Sequence, residues 1–149
     1  MSDLVSASHV FLGCKAATVD EVMDFLGSNA VALGVASDAD AVSGALKARE
    51  SEGTTGMTGG FAIPHCKADA ISSAAVLVVK LDGGVEWRSA DGQPVRCAIA
   101  LLVPAAEAGT THLQLLSQIA AKLMDESLRA ELLESDDPAA IAALVSEGL

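Results

Sequence analysis

The chain has 149 residues, and twenty Asp and Glu against nine Lys and Arg give a formal net charge of −11. The length suits one compact domain spanning 1–149, and with 51 % apolar but only 3 % aromatic residues its core must be built from Leu, Ile, Val and Ala. An acidic chain repels phosphate backbones, and Phe11, Phe25, Phe61 and Trp87 are its only stacking platforms, which argues against nucleic acid as a partner.

In chain order, His9 to Leu12 reads as a short apolar strand. Thr18-Val19-Asp20-Glu21 has the spacing of a capping box, and Val19, Val22, Met23 and Leu26 then recur as the apolar stripe of a helix. A second helix is predicted to start near Ser37-Asp38, with Val42, Ala45, Leu46 and Arg49 on one face. Arg49 thus continues an apolar stripe, either snorkelling to solvent or ending near a buried anion.

Ser51 to Gly60 holds four glycines and three threonines, with Met57 as its one bulky aliphatic residue. Such a stretch cannot sustain a helix, but it can reach left-handed conformations and expose N–H groups. A strand through Phe61 to Ile63 is predicted to end at Pro64, whose nitrogen carries no donor. Ala74 to Leu81 is a Val-rich strand; Asp82-Gly83-Gly84 reads as a turn, Val85 to Arg88 as a short strand and Asp91-Gly92 as another turn. Val95 to Val103 is a second strongly apolar strand, closed by Pro104.

The remainder is predicted helical. Leu113, Leu116, Ala120 and Leu123 form a stripe entered through Thr110-Thr111, and Asp137-Pro138 supplies an N-cap and a first-turn proline for the last helix. Strand, two helices, a block of strands, then two or three helices is the order of an α/β domain. It predicts a three-layer α/β/α sandwich with a central mixed β-sheet flanked by helices.

No apolar stretch approaches the roughly 20 residues of a spanning helix. Met1-Ser2-Asp3-Leu4 shows no basic-then-apolar secretory pattern. Three cysteines without CxxC spacing suggest neither a disulfide framework nor a zinc site. The expectation is a soluble cytoplasmic protein with no membrane insertion, no metal and no cofactor.

Three histidines make the search for chemistry short. His9 lies in a predicted strand away from polar clusters and reads as structural. His65 follows a Gly/Thr loop and a rigid proline, a position that commonly carries function. His112 sits in the first turn of a strong helix, where the positive end of the helix dipole disfavours protonation. Each also has a capping or packing reading. Together they fit phosphoryl transfer: a neutral imidazole is a nucleophile at neutral pH, and the protein then has to position groups and offset charge on the phosphoryl oxygens. Arg49, a second imidazole and N–H groups of the Ser51–Gly60 loop are suitable donors. That loop has no Gly-Lys-Ser/Thr and is no nucleotide P-loop.

At these residues the sequence resembles the enzyme IIA domains of the fructose/mannitol class of the bacterial phosphoenolpyruvate-dependent sugar phosphotransferase system. The resembling text is Arg49-Glu50, then Thr55-Gly56 through Gly60 to Ala62-Ile63-Pro64-His65, then Asp91-Gly92-x-Pro94-Val95, Pro104 and His112-Leu113-x-x-Leu116. The resemblance implies that His65 accepts a phosphoryl group from the phosphocarrier HPr and passes it to a cysteine of an enzyme IIB, with a membrane enzyme IIC downstream. It further implies that Arg49 and His112 orient and stabilise the phosphoryl, and that Thr55, Gly56, Thr58 and Gly60 belong to a phosphoryl-binding loop. Thr58 stands where the family usually has glycine, adding either a hydroxyl donor or a restriction on the loop.

The expected role is a phosphohistidine carrier in sugar uptake, of fructose type. The alternative is a regulatory nitrogen-type enzyme IIA acting through phosphorylation-dependent partner binding. A third reading, a metal-dependent hydrolase on His65, Cys66 and His112, predicts stoichiometric bound metal.

Overall fold

The structure is a computed structural model; it describes residues 4–107 and 109–149, and of residues 110 and 111 the backbone. The first three residues of the N-terminus, on which the reading of a missing secretory signal rests, lie outside the described residues.

A mixed sheet forms the middle layer. Its strands are β1 (Val10–Cys14), β2 (Phe61–Ala62), β3 (His65–Ala68), β4 (Ala75–Val85) and β5 (Val95–Pro104). The order is β1-β4-β5-β2, with β3 also on β5; β4 and β5 are antiparallel, and the outer strands run parallel to their neighbours. On β5, Cys97, Ile99, Leu101 and Val103 face one core, and Ala98, Ala100 and Leu102 face the other. Both central strands are thus apolar on both faces, and both faces need a helical cover.

One cover is α1 (Val19–Ala32) and α2 (Ala39–Glu52). Val22, Met23, Leu26, Val42 and Leu46 are fully or almost fully buried against that face. The other is α3 (Thr110–Lys122), α4 (Glu126–Glu134) and α5 (Pro138–Ser146), which set Ile119, Leu123, Leu132, Ile141 and Val145 on the opposite face. This is the three-layer α/β/α sandwich the sequence predicts.

The predicted helix starts hold. Thr18 Oγ1 accepts from the Glu21 N–H at 3.1 Å, while Glu21 reaches one residue further back than a standard capping box, to the Ala17 N–H at 2.7 Å. Asp38 and Asp137 cap α2 and α5 through Ala41 and Ala139. α3 begins at Thr110, as expected, although the side chains of Thr110 and Thr111 lie outside the described residues.

Three strand predictions need correction. His9 closes a short 3-10 turn (Ala7–His9) ahead of β1, and its Nδ1–H donates to the Leu4 and Val76 carbonyls, both at 3.0 Å. Asp82-Gly83-Gly84 is not a turn between two strands. β4 runs through it to Val85 with an irregular register past Lys80, and Gly84 takes up the bend at φ +70°. Pro64 ends β2, but the chain rejoins the sheet at once as β3. Phe61 pairs with Cys97 and His65 with Leu101, so the register is the same on both sides of the proline. An edge strand tolerates proline because its missing donor faces outward, and the Pro64 carbonyl still accepts from the Leu101 N–H at 2.9 Å.

Candidate functional site

The edge strand delivers His65. Side chains alternate along a strand, so Phe61, Ile63 and His65 share the face covered by α3–α5, and Ala62 and Cys66 face α1 and α2. Arg49 comes from the last turn of α2 and His112 from the first turn of α3. With Glu52, Lys67 and Ala48 they line a cleft of about 340 Å³. The His65 and His112 rings lie 5.8 Å apart between centroids, tilted by 48°, and each residue is only 8 % exposed. The structure therefore brings His65, Arg49 and His112 together. It sets the imidazoles deeper than the shallow, accessible depression that transfer between two proteins suggests.

The hydrogen bonds of His65 settle its tautomer. Nδ1 lies 2.8 Å from the Ile63 carbonyl, which can only accept, so the proton is on Nδ1. Nε2 keeps its lone pair and receives the Nε–H of Arg49 at 3.2 Å, while Nη1 of the same guanidinium donates to the Gly53 carbonyl at 2.8 Å. Burial is the main cause holding the His65 pKa below its ordinary value, with Arg49 adding to it against the Ile63 carbonyl and Glu50. His112 is held low by burial, by His65 and by Lys67. Its Nδ1 is buried without a hydrogen-bond partner among the described residues. A proton there would be an orphaned donor, so His112 is assigned the Nε2–H tautomer. One ring offers a lone pair and the other an N–H.

Glu50 is the hub of the adjoining loop. Its Oε2 accepts from the Thr55 N–H and the Trp87 indole N–H, both at 2.9 Å, and its Oε1 from the Thr55 hydroxyl at 2.6 Å. The expectation that loop N–H groups point at a phosphoryl meets a different geometry. Thr55 N–H is bound to Glu50, Gly56 N–H to Thr54 Oγ1, Met57 N–H to the Phe61 carbonyl and Gly59 N–H to Asp91. Thr55, Gly56, Thr58 and Gly60 do not line the His65 cleft. What Gly56 provides is room: a Cβ there would stand 2.2 Å from the Arg88 carbonyl oxygen. The loop is thus tied to the Arg88–Asp91 segment and to Glu50.

Cys66 is buried against the α1/α2 core, and burial pushes its thiol pKa up to about 12, so it stays protonated. Among the described residues no group of three or more His, Cys, Asp or Glu side chains is placed to hold a metal ion, and no helix is long and apolar enough to cross a membrane.

Sequence reasoning missed two residues of this neighbourhood. Glu50 stands in the resembling text, and its signal is its place beside Arg49 before a loop in need of acceptors. Lys67 is hidden in the sequence because Pro64 signals a strand end. Once β3 is recognised, period two places Lys67 on the same face as His65.

The chain matches the family model "Phosphoenolpyruvate-dependent sugar phosphotransferase system, EIIA 2" over residues 3–148. It is 37 % identical over 131 residues to the fructose-specific EIIA component of the phosphotransferase system in Haloferax volcanii, covering 88 % of this chain and 84 % of that protein. Among solved structures it resembles the nitrogen regulatory protein IIA-Ntr of Neisseria meningitidis, with a TM-score of 0.89, 27 % identity and coverage of 97 % and 98 % of the two chains. It also resembles enzyme IIA mannitol of Escherichia coli in its complex with phosphorylated enzyme IIB mannitol, with a TM-score of 0.77, 25 % identity and coverage of 96 % and 97 %.

Proposed function

This chain belongs to the EIIA 2 family of the phosphoenolpyruvate-dependent sugar phosphotransferase system, a phosphotransferase component that moves phosphoryl groups through a histidine, and we propose that His65 is that histidine and Nε2 its reacting atom. The observation that carries this reading is the pair of hydrogen bonds on the His65 ring. Nδ1–H is committed to the Ile63 carbonyl, and the one free lone pair, on Nε2, is held by the Nε–H of Arg49 in the cleft it shares with His112.

The donor is a phosphohistidine of HPr. Its nitrogen–phosphorus bond breaks as the Nε2–phosphorus bond of His65 forms; the leaving nitrogen keeps the bond electrons, and the proton on Nδ1 stays where it is. Arg49 transfers its N–H from Nε2 to a phosphoryl oxygen, and His112 offers Nε2–H to another. In the return step a cysteine thiolate of an enzyme IIB attacks phosphorus and Nε2 leaves with its lone pair. The E. coli mannitol pair, which forms a complex of enzyme IIA with phosphorylated enzyme IIB, supports an enzyme IIB as the acceptor.

The chain acts in this reading as one IIA domain, in the cytoplasm, feeding a fructose-type transporter through a membrane enzyme IIC; the fructose-specific relative supports that choice. The second reading, a nitrogen-type regulator, is favoured by the higher structural similarity to IIA-Ntr. Incubation with phosphoenolpyruvate, enzyme I and HPr tests the chemistry: one acid-labile, base-stable phosphoryl group is expected on His65, and none on His65→Ala. Full labelling of His65→Ala overturns the assignment. Passage of the label to a fructose-type enzyme IIB supports transport, and failure to label any enzyme IIB supports the regulatory reading.

A further inference from the structure

Lys67 is one of three cations, with Arg88 and Arg96, whose side chains make no ion pair or hydrogen bond among the described residues, and of the three it is the one that lines the His65 cleft. Lys15 and Lys47 pair with Asp82 and Asp24 at 3.0 and 2.9 Å. The ammonium of Lys80 is wrapped by the Leu132, Leu133 and Ser135 carbonyls, and that of Lys122 donates to the Glu147 carbonyl at 2.6 Å. Arg49 and Arg129 likewise hold carbonyls. Lys67 has no ion pair and no side-chain hydrogen bond among the described residues, in a protein with twenty carboxylates. It stands two positions after His65 on the same strand, hence on the same face, and it lines the His65 cleft with Arg49 and His112. Glu52 lines the same cleft and yet makes no salt bridge with it.

Lys67 lines the cleft into which a dianion would arrive on the reading of His65 as the acceptor. We propose that Lys67 is the second cation of the phosphoryl site, its ammonium closing on a phosphoryl oxygen once phosphorus is bonded to Nε2 of His65, opposite the guanidinium of Arg49. The inference rests on the reading of His65 as the phosphoryl acceptor. Lys67 forms and breaks no covalent bond in the transfer and keeps its proton throughout; what it supplies is charge that offsets the phosphoryl dianion in a protein of net charge −11. The Lys67 charge adds, after burial and His65, to the causes that hold the His112 pKa below its ordinary value.

The test compares wild type, Lys67→Gln and Lys67→Arg with two donors, phosphorylated HPr and the small molecule phosphoramidate, and includes His65→Ala. Lys67→Gln is expected to reach full labelling on His65, but with kcat/KM lowered about tenfold from both donors, and Lys67→Arg is expected to stay within about twofold of wild type. Unchanged rates in Lys67→Gln overturn the proposal. So does a loss confined to the HPr reaction, which would make Lys67 a docking residue for the partner protein. Label on His65→Ala would instead overturn the assignment of His65, an outcome read independently of the lysine variants.

Discussion

Arg49 and His65 share a hydrogen bond at the one ring nitrogen of His65 that carries a lone pair: the guanidinium Nε–H sits 3.2 Å from Nε2. On the reading of His65 as the phosphoryl acceptor, its reacting atom rests covered by the group proposed to hold the product. An incoming phosphoryl would then replace nitrogen by oxygen as the acceptor of the same N–H. Arg49→Gln should slow phosphoryl acceptance about a hundredfold, the usual effect of losing a donor aimed at developing charge. Lysine at this position should restore little, since the planar guanidinium also holds the Gly53 carbonyl. Rapid-quench labelling from HPr measures both; a rate within threefold of wild type for Arg49→Gln would sink the role assigned to it.

Acceptance should also follow the protonation of His65. Burial, helped by Arg49, lowers its pKa below the ordinary 6.5, so Nε2 stays unprotonated through neutral pH. The labelling rate is expected to be level above pH 6.5 and to fall on the acid side, with a midpoint below 6.5. The same shift makes folding pH-dependent. Between the lowered native pKa and 6.5 the unfolded chain binds more protons than the folded one, so stability falls as pH drops through that window. Urea titrations of wild type and His65→Ala from pH 7 downwards should diverge there, the variant losing less.

The proposed site gives His112 the complementary task. As the Nε2–H tautomer it donates without needing a charge, and its pKa is lowered mainly by burial and further by its neighbours His65 and Lys67. His112→Ala should still be labelled on His65, at a rate lower by roughly tenfold to a hundredfold. His112→Gln, which keeps an N–H donor on a side chain of similar reach, should recover part of the loss. Equal rates for all three proteins would remove His112 from the chemistry.

Glu50 predicts a structural effect with a built-in probe. Its carboxylate takes three donors, two from Thr55 and one from Trp87, the only tryptophan of the chain. Glu50→Gln replaces acceptor capacity by a donor facing donors. It should lower unfolding free energy by about 1–3 kcal/mol, as for hydrogen bonds to a charged group, and should change Trp87 fluorescence in the folded state. Unaltered emission and stability would show that Glu50 is not the hub.

Lys80 predicts the other kind of effect, stability without activity. Its ammonium closes the carbonyl end of α4 through Leu132, Leu133 and Ser135. Lys80→Met should destabilise the fold by about 1–3 kcal/mol and leave the labelling rate at His65 within about twofold. A selective loss of labelling would place Lys80 in the site.

Much of this was legible because the strongest signals are periodic. The two-faced burial of β4 and β5 and the caps at Thr18, Asp38 and Asp137 follow from local patterns, and they position α2 and α3 where Arg49 and His112 converge on His65. What stayed illegible depends on long-range partners. Whether Asp82-Gly83-Gly84 turns or continues is decided by Val85 regaining a pairing with Val95 on β5, and whether loop N–H groups are free is decided by Glu50 and Asp91. Pro64 misled for a related reason: a proline breaks an isolated strand, but at a sheet edge the partner strand keeps the register across it.

That preserved register turns segment length into a determinant of chemistry. Phe61 to His65 acts as a measured spacer whose count, more than its composition, decides which layer receives the imidazole. One residue added or removed there would leave the sheet free to keep its pairing while reversing the face that His65 presents, and it would put Pro64 or Cys66 at the position now paired with Leu101. Substitutions in this segment are graded changes; a change in its length is all or nothing.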